Sequence, residues 1–203
     1  CETVGPVLHQ VFQQAIATGK TARRETAIGE GNVSVGSTAI DFARQIFDGL
    51  EDKTILSIGI GEMTKTMLRH LLAQSPRRLW LTNRTPAHAT ALAEALALSP
   101  DLGGARSWEE LSELLVASDI VLTGTAAAEP ILTAGGLKPL LRRRRNRPLF
   151  VVDLAVPRDV EPEVGAMNNV YVYNLDDLQA ATGQQHEQRA AAAGDCEAHV
   201  HRA

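Results

Sequence analysis

From Lys53 onward, short apolar runs alternate with amphipathic stretches, and no other feature of the chain restricts its fold as much. Residues 54–58, TILSI, read as a buried strand closed by Gly59. The stretch 62–74 repeats apolar residues at helical spacing, with Met63, Met67, Leu68, Leu71 and Leu72 on one face. A strand over 79–82 follows. Pro86 then suits the first turn of a helix over 86–98. The remainder reads as helix 108–117, strand 119–123, helix 133–144, strands 149–153 and 170–173, and a helix from about 175. Strands separated by helices pair in parallel through right-handed crossovers. The predicted fold class is α/β: a doubly wound, mostly parallel sheet of Rossmann type, with flanking N- and C-terminal helices.

Ahead of that pattern, Val4, Val7, Leu8, Val11, Phe12, Ala15 and Ile16 form one apolar stripe of a first helix, ending near Gly19 and Lys20. Residues 20–33 are polar and read as a connection. Val35, Ala39, Phe42, Ala43 and Ile46 mark a second amphipathic helix. The expected organisation is a helix and linker over 1–34, a nucleotide-binding domain over 35–174, and a C-terminal helix and tail over 175–203. A length of 203 residues suits one substantial domain with appended elements. No apolar run approaches the roughly 18 residues of a membrane span, so no membrane partner is expected. A net charge of -4 argues against broad nucleic-acid binding through overall charge and leaves room for a local basic patch. Cys1 and Cys196 lie near the termini, which indicates no disulfide framework and fits a reducing, cytoplasmic compartment. The start at Cys1, without Met or a signal-like segment, fits a piece of a longer chain better than a mature lipoprotein.

The sharpest local signal is SIGIGEMT, Ser57 to Thr64. Gly59 permits a tight turn after the strand, and Gly61 lets the backbone approach a pyrophosphate. The start of the next helix offers unpaired N–H groups and a positive dipole end. Gly59, Ile60, Gly61, Glu62, Met63 and Thr64 are therefore candidate cofactor contacts. Thr64 stands where a third Gly or Ala is usual, and its bulk is expected to push helix and strand apart slightly. In a dinucleotide fold an acid is expected about 20 residues further on, to hold the ribose hydroxyls. This sequence has Asn83, Arg84 and Thr85 there. A guanidinium makes two charge-assisted bonds to phosphate oxygens, so Arg84 predicts preference for NADP(H), with Asn83 and Thr85 as neutral donors beside it.

Strand 119–123 ends in TGTAA, where Thr123, Gly124 and Thr125 are candidates to border the nicotinamide ribose. Strand 149–153 ends in DLAVPRD. There Pro157 stiffens the loop, and Asp153, Arg158 and Asp159 fit either the ligand edge or a salt-bridged structural turn. The run Arg142 to Arg145 with Arg147 has the look of an RNA patch, yet it also closes a helix, where cations complement the dipole, and the solvated helix end is the preferred reading. His186, His199, His201 and Cys196 match no familiar metal spacing, so no metal is assigned. Neither cysteine has the setting of a nucleophile, and no catalytic residue is assigned.

Taken together these segments resemble one family closely, glutamyl-tRNA reductase. The resemblance rests on LHQVFQQAIATGKTARRETAIGEGNVSVGSTAIDFARQIF, ILSIGIGEM, LTNRT, ASDIVLTGTA, and RRRRNRPLFVVDLAVPRDVEPEVG continuing into VYVYNLDDLQ, which cover most of residues 4–180. It implies a dimeric enzyme of the tetrapyrrole (porphyrin) route, in which an N-terminal domain bears a cysteine nucleophile and recognises glutamyl-tRNA. A central domain then binds NADPH, and hydride transfer to the thioester releases glutamate-1-semialdehyde. This chain resembles the central domain with flanking helices, and by itself is expected to bind NADPH without reducing glutamyl-tRNA. The alternatives are another NADP-dependent oxidoreductase of the shikimate dehydrogenase type and a non-catalytic NADP-binding module.

Overall fold

Five of the apolar runs are strands of one sheet, and their register is parallel throughout. The computed structural model describes residues 34–145 and 147–183, with positions 5, 8, 10, 12 and 13 besides. The first predicted helix, Arg23, Arg24 and the tail with its histidines and Cys196 thus fall mostly or wholly outside the described residues. The chain divides into two compact units, Cys1–Ser34 and Val35–Ala203. The sheet and all its helices belong to the second unit.

Helix α1 (Val35–Ile46) leads into β1 (Thr54–Ile58), α2 (Glu62–Leu72), β2 (Arg78–Thr82), α3 (Pro86–Ala95) and β3 (Gly103–Arg106). A 3₁₀ turn at Trp108–Glu110 precedes α4 (Leu111–Ala117), β4 (Ile120–Thr123), α5 (Ala134–Arg143) and β5 (Leu149–Asp153). After a second 3₁₀ turn at Pro162–Ala166 come β6 (Val170–Asn174) and helix α6 over 175–183. The six strands lie in the order β3-β2-β1-β4-β5-β6, all parallel. The order reverses between β1 and β4, and a crevice at such a reversal is where open α/β sheets bind ligands.

Alternation along the strands assigns side chains to the two faces. Ile55 points into a core with Ala39, Ala43, Leu68 and Leu178, covered by α1, α2, α3 and α6. Leu56 and Ile58 point the other way, onto Leu114, Leu115 and Leu137 of α4 and α5. The fold class expected from the sequence is the one observed.

One strand escapes the sequence reading. β3, GGAR, has no apolar residue but Ala105, and it joins the sheet through main-chain pairing with β2 alone. Gly103 sits at φ +143°, and a Cβ there would collide with the carbonyl oxygen of Leu79, so only glycine lets this edge close on β2. The basic run also differs from a solvated helix end. Arg144 is 1% exposed, and its guanidinium donates to the carbonyls of Leu115, Val116, Ser118 and Pro148. It thereby caps the unpaired carbonyls that end α4. Burial, with the nearby charge of Arg147, lowers its pKa to about 10 against the pull of Asp119. Arg143 pairs with Glu113 and Arg147 with Asp119, while Arg142 and Arg145 are exposed.

Candidate functional site

The carboxyl ends of β2, β1, β4 and β5 are locked side by side. Gly59 N–H donates to the Thr82 carbonyl (3.0 Å), Gly124 N–H to that of Ile58 (3.0 Å), and Leu154 N–H to that of Thr123 (2.8 Å). Gly59 adopts φ +86°, and a Cβ there would lie 2.5 Å from the Gly124 carbonyl oxygen. The turn therefore closes tightly against β4, as a bulkier residue could not. Gly61 is the N-cap of α2, and no side chain caps the helix. Its first-turn N–H groups are left for a ligand or solvent, in the geometry that suits an anion. Glu62 and Met63 are exposed at this edge, beside Ile60.

Thr64 is fully buried, and its hydroxyl has no hydrogen-bond partner. A Cβ on Gly124 would collide with Thr64 Oγ1. The bulk of this threonine is thus received by a glycine on the neighbouring strand end. The expected loosening of helix against strand is offset from across the sheet.

At the end of β2, Arg84 is exposed with its guanidinium carbon 5.6 Å from the centroid of the Trp108 ring. It makes no ion pair among the described residues, so its charge is available. Asn83 Nδ2 donates to the Thr85 carbonyl (3.3 Å) and lies 3.2 Å from His88 Nδ1, which fixes the amide beside the start of α3. Asn83 and Arg84 face Thr125, Ala126 and Ala127 across a hollow of about 200 Å³. A wider groove of about 500 Å³ runs down between α2 and α3, with Lys65, Arg69 and His88 on its walls. The smaller hollow lies at the ends of β2 and β4 and is bordered by Arg84, whereas Ile60 and Glu62 of the glycine turn border the wider groove.

Three residues of the second strand group have other partners. Thr123 is buried and donates its hydroxyl to Asp153 Oδ1 (3.0 Å). Thr125 donates both its N–H (2.8 Å) and its hydroxyl (2.5 Å) to Asp159. Gly124 is occupied in making room for the Thr64 side chain. What these positions present at the site is main chain. In the DLAVPRD segment the two aspartates are held by hydrogen bonds and not by ion pairs. Asp153, 1% exposed, accepts from Thr123, Ala155 N–H (3.0 Å) and Val160 N–H (3.2 Å), and Asp159 is fully buried on Thr125. Arg158 alone forms an ion pair, with Asp176. Burial raises the pKa of Asp159, opposed by the two hydrogen bonds from Thr125; the charge of Asp153 adds to the rise and that of Arg84 counters it. Sequence reasoning singled out Arg84 but did not place the Trp108 ring beside it, nor Ala126 and Ala127 opposite, since nothing in the residue types links positions so far apart.

Among the described residues there is no cluster of three or more His, Cys, Asp or Glu suited to a metal. None of their helices is long and apolar enough to cross a membrane.

The family model described as shikimate / quinate 5-dehydrogenase matches residues 41–181. A glutamyl-tRNA reductase of Pseudomonas aeruginosa is 42% identical over 191 residues, 94% of this chain and 44% of that protein. One of Syntrophotalea carbinolica is 43% identical over 176 residues, 87% of this chain and 39% of that protein. The chain thus spans less than half the length of these curated relatives. Among solved structures, glutamyl-tRNA reductase from Methanopyrus kandleri is 38% identical with a TM-score of 0.74, covering 95% of this chain and 47% of that one. The nucleotide-binding domain of glutamyl-tRNA reductase from Thermoplasma volcanium superposes with a TM-score of 0.60 at 21% identity, covering 79% of this chain and 99% of that one, and shares the fold.

Proposed function

Since this chain belongs to the glutamyl-tRNA reductase family, through a nucleotide-binding domain that the shikimate / quinate 5-dehydrogenase model also matches, we propose that it is the part of such an enzyme that binds NADPH. The observation that carries the choice of cofactor is Arg84, exposed and making no ion pair among the described residues at the end of β2, where an NAD-binding domain would place a carboxylate. Its fork of donors suits a phosphate on the adenosine ribose, and Asn83 and Thr85 stand beside it. The residues fit a dinucleotide in two further ways. Gly59 closes the turn against β4, and the uncapped start of α2 behind Gly61 is a cradle for the pyrophosphate. The cofactor, when bound, supplies hydride; this chain's residues bind and orient it.

In the complete enzyme the substrate is glutamyl-tRNA and the product glutamate-1-semialdehyde, made in the cytoplasm by a homodimer for tetrapyrrole synthesis. The chemistry asks of this region that it hold one end of a reaction whose acyl group is presented from elsewhere in the protein. A shikimate dehydrogenase type of oxidoreductase is the second reading, favoured by the family model alone. Against it stands the identity of about 42% to glutamyl-tRNA reductases over 94% of the chain.

The test is calorimetric titration of both nucleotides into wild type and Arg84→Ala. NADPH binding is expected to weaken by about 1.5–3 kcal/mol, roughly 10- to 150-fold, with NADH almost unchanged. Equal losses for the two nucleotides would remove Arg84 from this role.

A further inference from the structure

The loop that leaves β5 is braced on both sides and exposes one apolar residue at its tip. Leu154 and Ala155 are buried, Asp153 takes the N–H groups of Ala155 and Val160, and Arg158 is tied to Asp176. Between these anchors Val156 is 80% exposed, the most exposed large apolar side chain among the described residues. A valine held out to solvent on an immobilised loop forgoes the burial that would ordinarily stabilise it. The loop starts at the end of the strand next to β4, on the ligand edge of the sheet. In a doubly wound sheet each half receives one mononucleotide. With Arg84 at the β2 end holding the adenosine side, the nicotinamide side falls over the ends of β4 and β5.

We propose that Val156 is the apolar wall on which the nicotinamide ring packs. The inference rests on the NADPH reading and extends it to the reactive end of the cofactor. A flat, weakly polar ring gains most from apolar area that is already rigid, because no loop must be ordered on binding. A wall on one face also leaves the opposite face open to the acyl acceptor, so Val156 sets which side of the ring transfers hydride.

The experiment compares NADPH with adenosine 2′,5′-bisphosphate, which keeps the phosphate held by Arg84 and lacks the ring. Both are titrated into wild type, Val156→Ser and Val156→Leu. Serine should weaken NADPH about 5-fold, from the loss of exposed methyl groups, and leave the bisphosphate within about 2-fold. Leucine should keep both within about 2-fold. The fluorescence enhancement of the reduced ring on binding should fall in the serine variant at saturating NADPH. Parallel weakening of both ligands would mean that the loop acts only through structure, and no change in either would mean that the ring lies elsewhere; each overturns the proposal. If wild type binds the bisphosphate as tightly as NADPH, the ring gains nothing here and the inference fails while the cofactor reading stands. If wild type binds neither, the cofactor reading falls and takes the inference with it.

Discussion

The two halves of the sheet treat their polar groups in opposite ways. On the β1–β2 side, groups at the strand ends are left open: among the described residues Arg84 makes no ion pair and lies against the Trp108 ring, and α2 starts without a side-chain cap. On the β4–β5 side the polar groups are consumed within the protein, with Asp153 and Asp159 taking up both threonine hydroxyls and a series of backbone N–H groups. The first arrangement leaves polar groups uncommitted within the described residues, as the proposed cofactor site requires. The second fixes the shape of loops that present backbone and an apolar tip. Substitutions of these polar groups should therefore divide between affinity and stability according to the half in which they fall, Val156 being the apolar exception.

The largest expected effect lies in the second half. Asp153→Ala leaves the Thr123 hydroxyl and the N–H groups of Ala155 and Val160 without their acceptor, in a site closed to solvent. It should cost about 3–5 kcal/mol in urea denaturation. Arg84→Ala, for all the loss of NADPH affinity expected of it, should stay within about 0.5 kcal/mol in the same measurement. Comparable losses from the two would break the distinction.

At the seam between the halves, Gly124→Ala should destabilise by about 1–3 kcal/mol through collision with Thr64. Thr64→Ala in the same chain should restore most of that loss, while alone it should hold or improve NADPH affinity. A double-mutant cycle measures this coupling, and simple additivity would show that the contact carries no energy.

The smallest effect is one of pH. The pKa of Asp159 is raised in the fold by burial, above the ordinary carboxylate value. The folded state therefore takes up this proton before the unfolded chain does. The stability linked to it is fully present below the unfolded pKa and is lost as pH rises through the folded one. On acidification wild type should gain stability relative to Asp159→Asn, read as a rise of its urea midpoint relative to the variant's. A difference that does not vary with pH would mean that the hydrogen bonds from Thr125 cancel the burial.

Period and spacing made most of this architecture legible. Leu149 to Val152 is a continuous apolar run, and Ile55 to Ile58 is broken only by the buried Ser57, because both faces of a parallel sheet are covered; such runs between amphipathic helices leave few other folds. Arg84 could be singled out because its distance from the glycine turn is set by one strand–helix–strand unit. β3 was not legible, since an edge strand built on main-chain pairing needs no side-chain pattern. The partners of Thr125 and Arg144 were not legible either. Apart from Pro148, which follows Arg144 closely, they come from residues 34 and roughly 30 positions away, across loops whose paths no local pattern encodes.

Arg144 bears on how the arginine run should be probed. Its guanidinium holds together the end of one helix, a strand entry and the Pro148 turn, all remote from the ligand edge. Neutralising the whole run at once would unravel that junction, and a gel-shift or filter assay would register the collapse as lost RNA affinity. Only Arg142 and Arg145, whose charges face solvent, can be removed as clean probes of a polyanion contact, with Arg144 kept in every variant as the guarantee that a folded protein is being assayed.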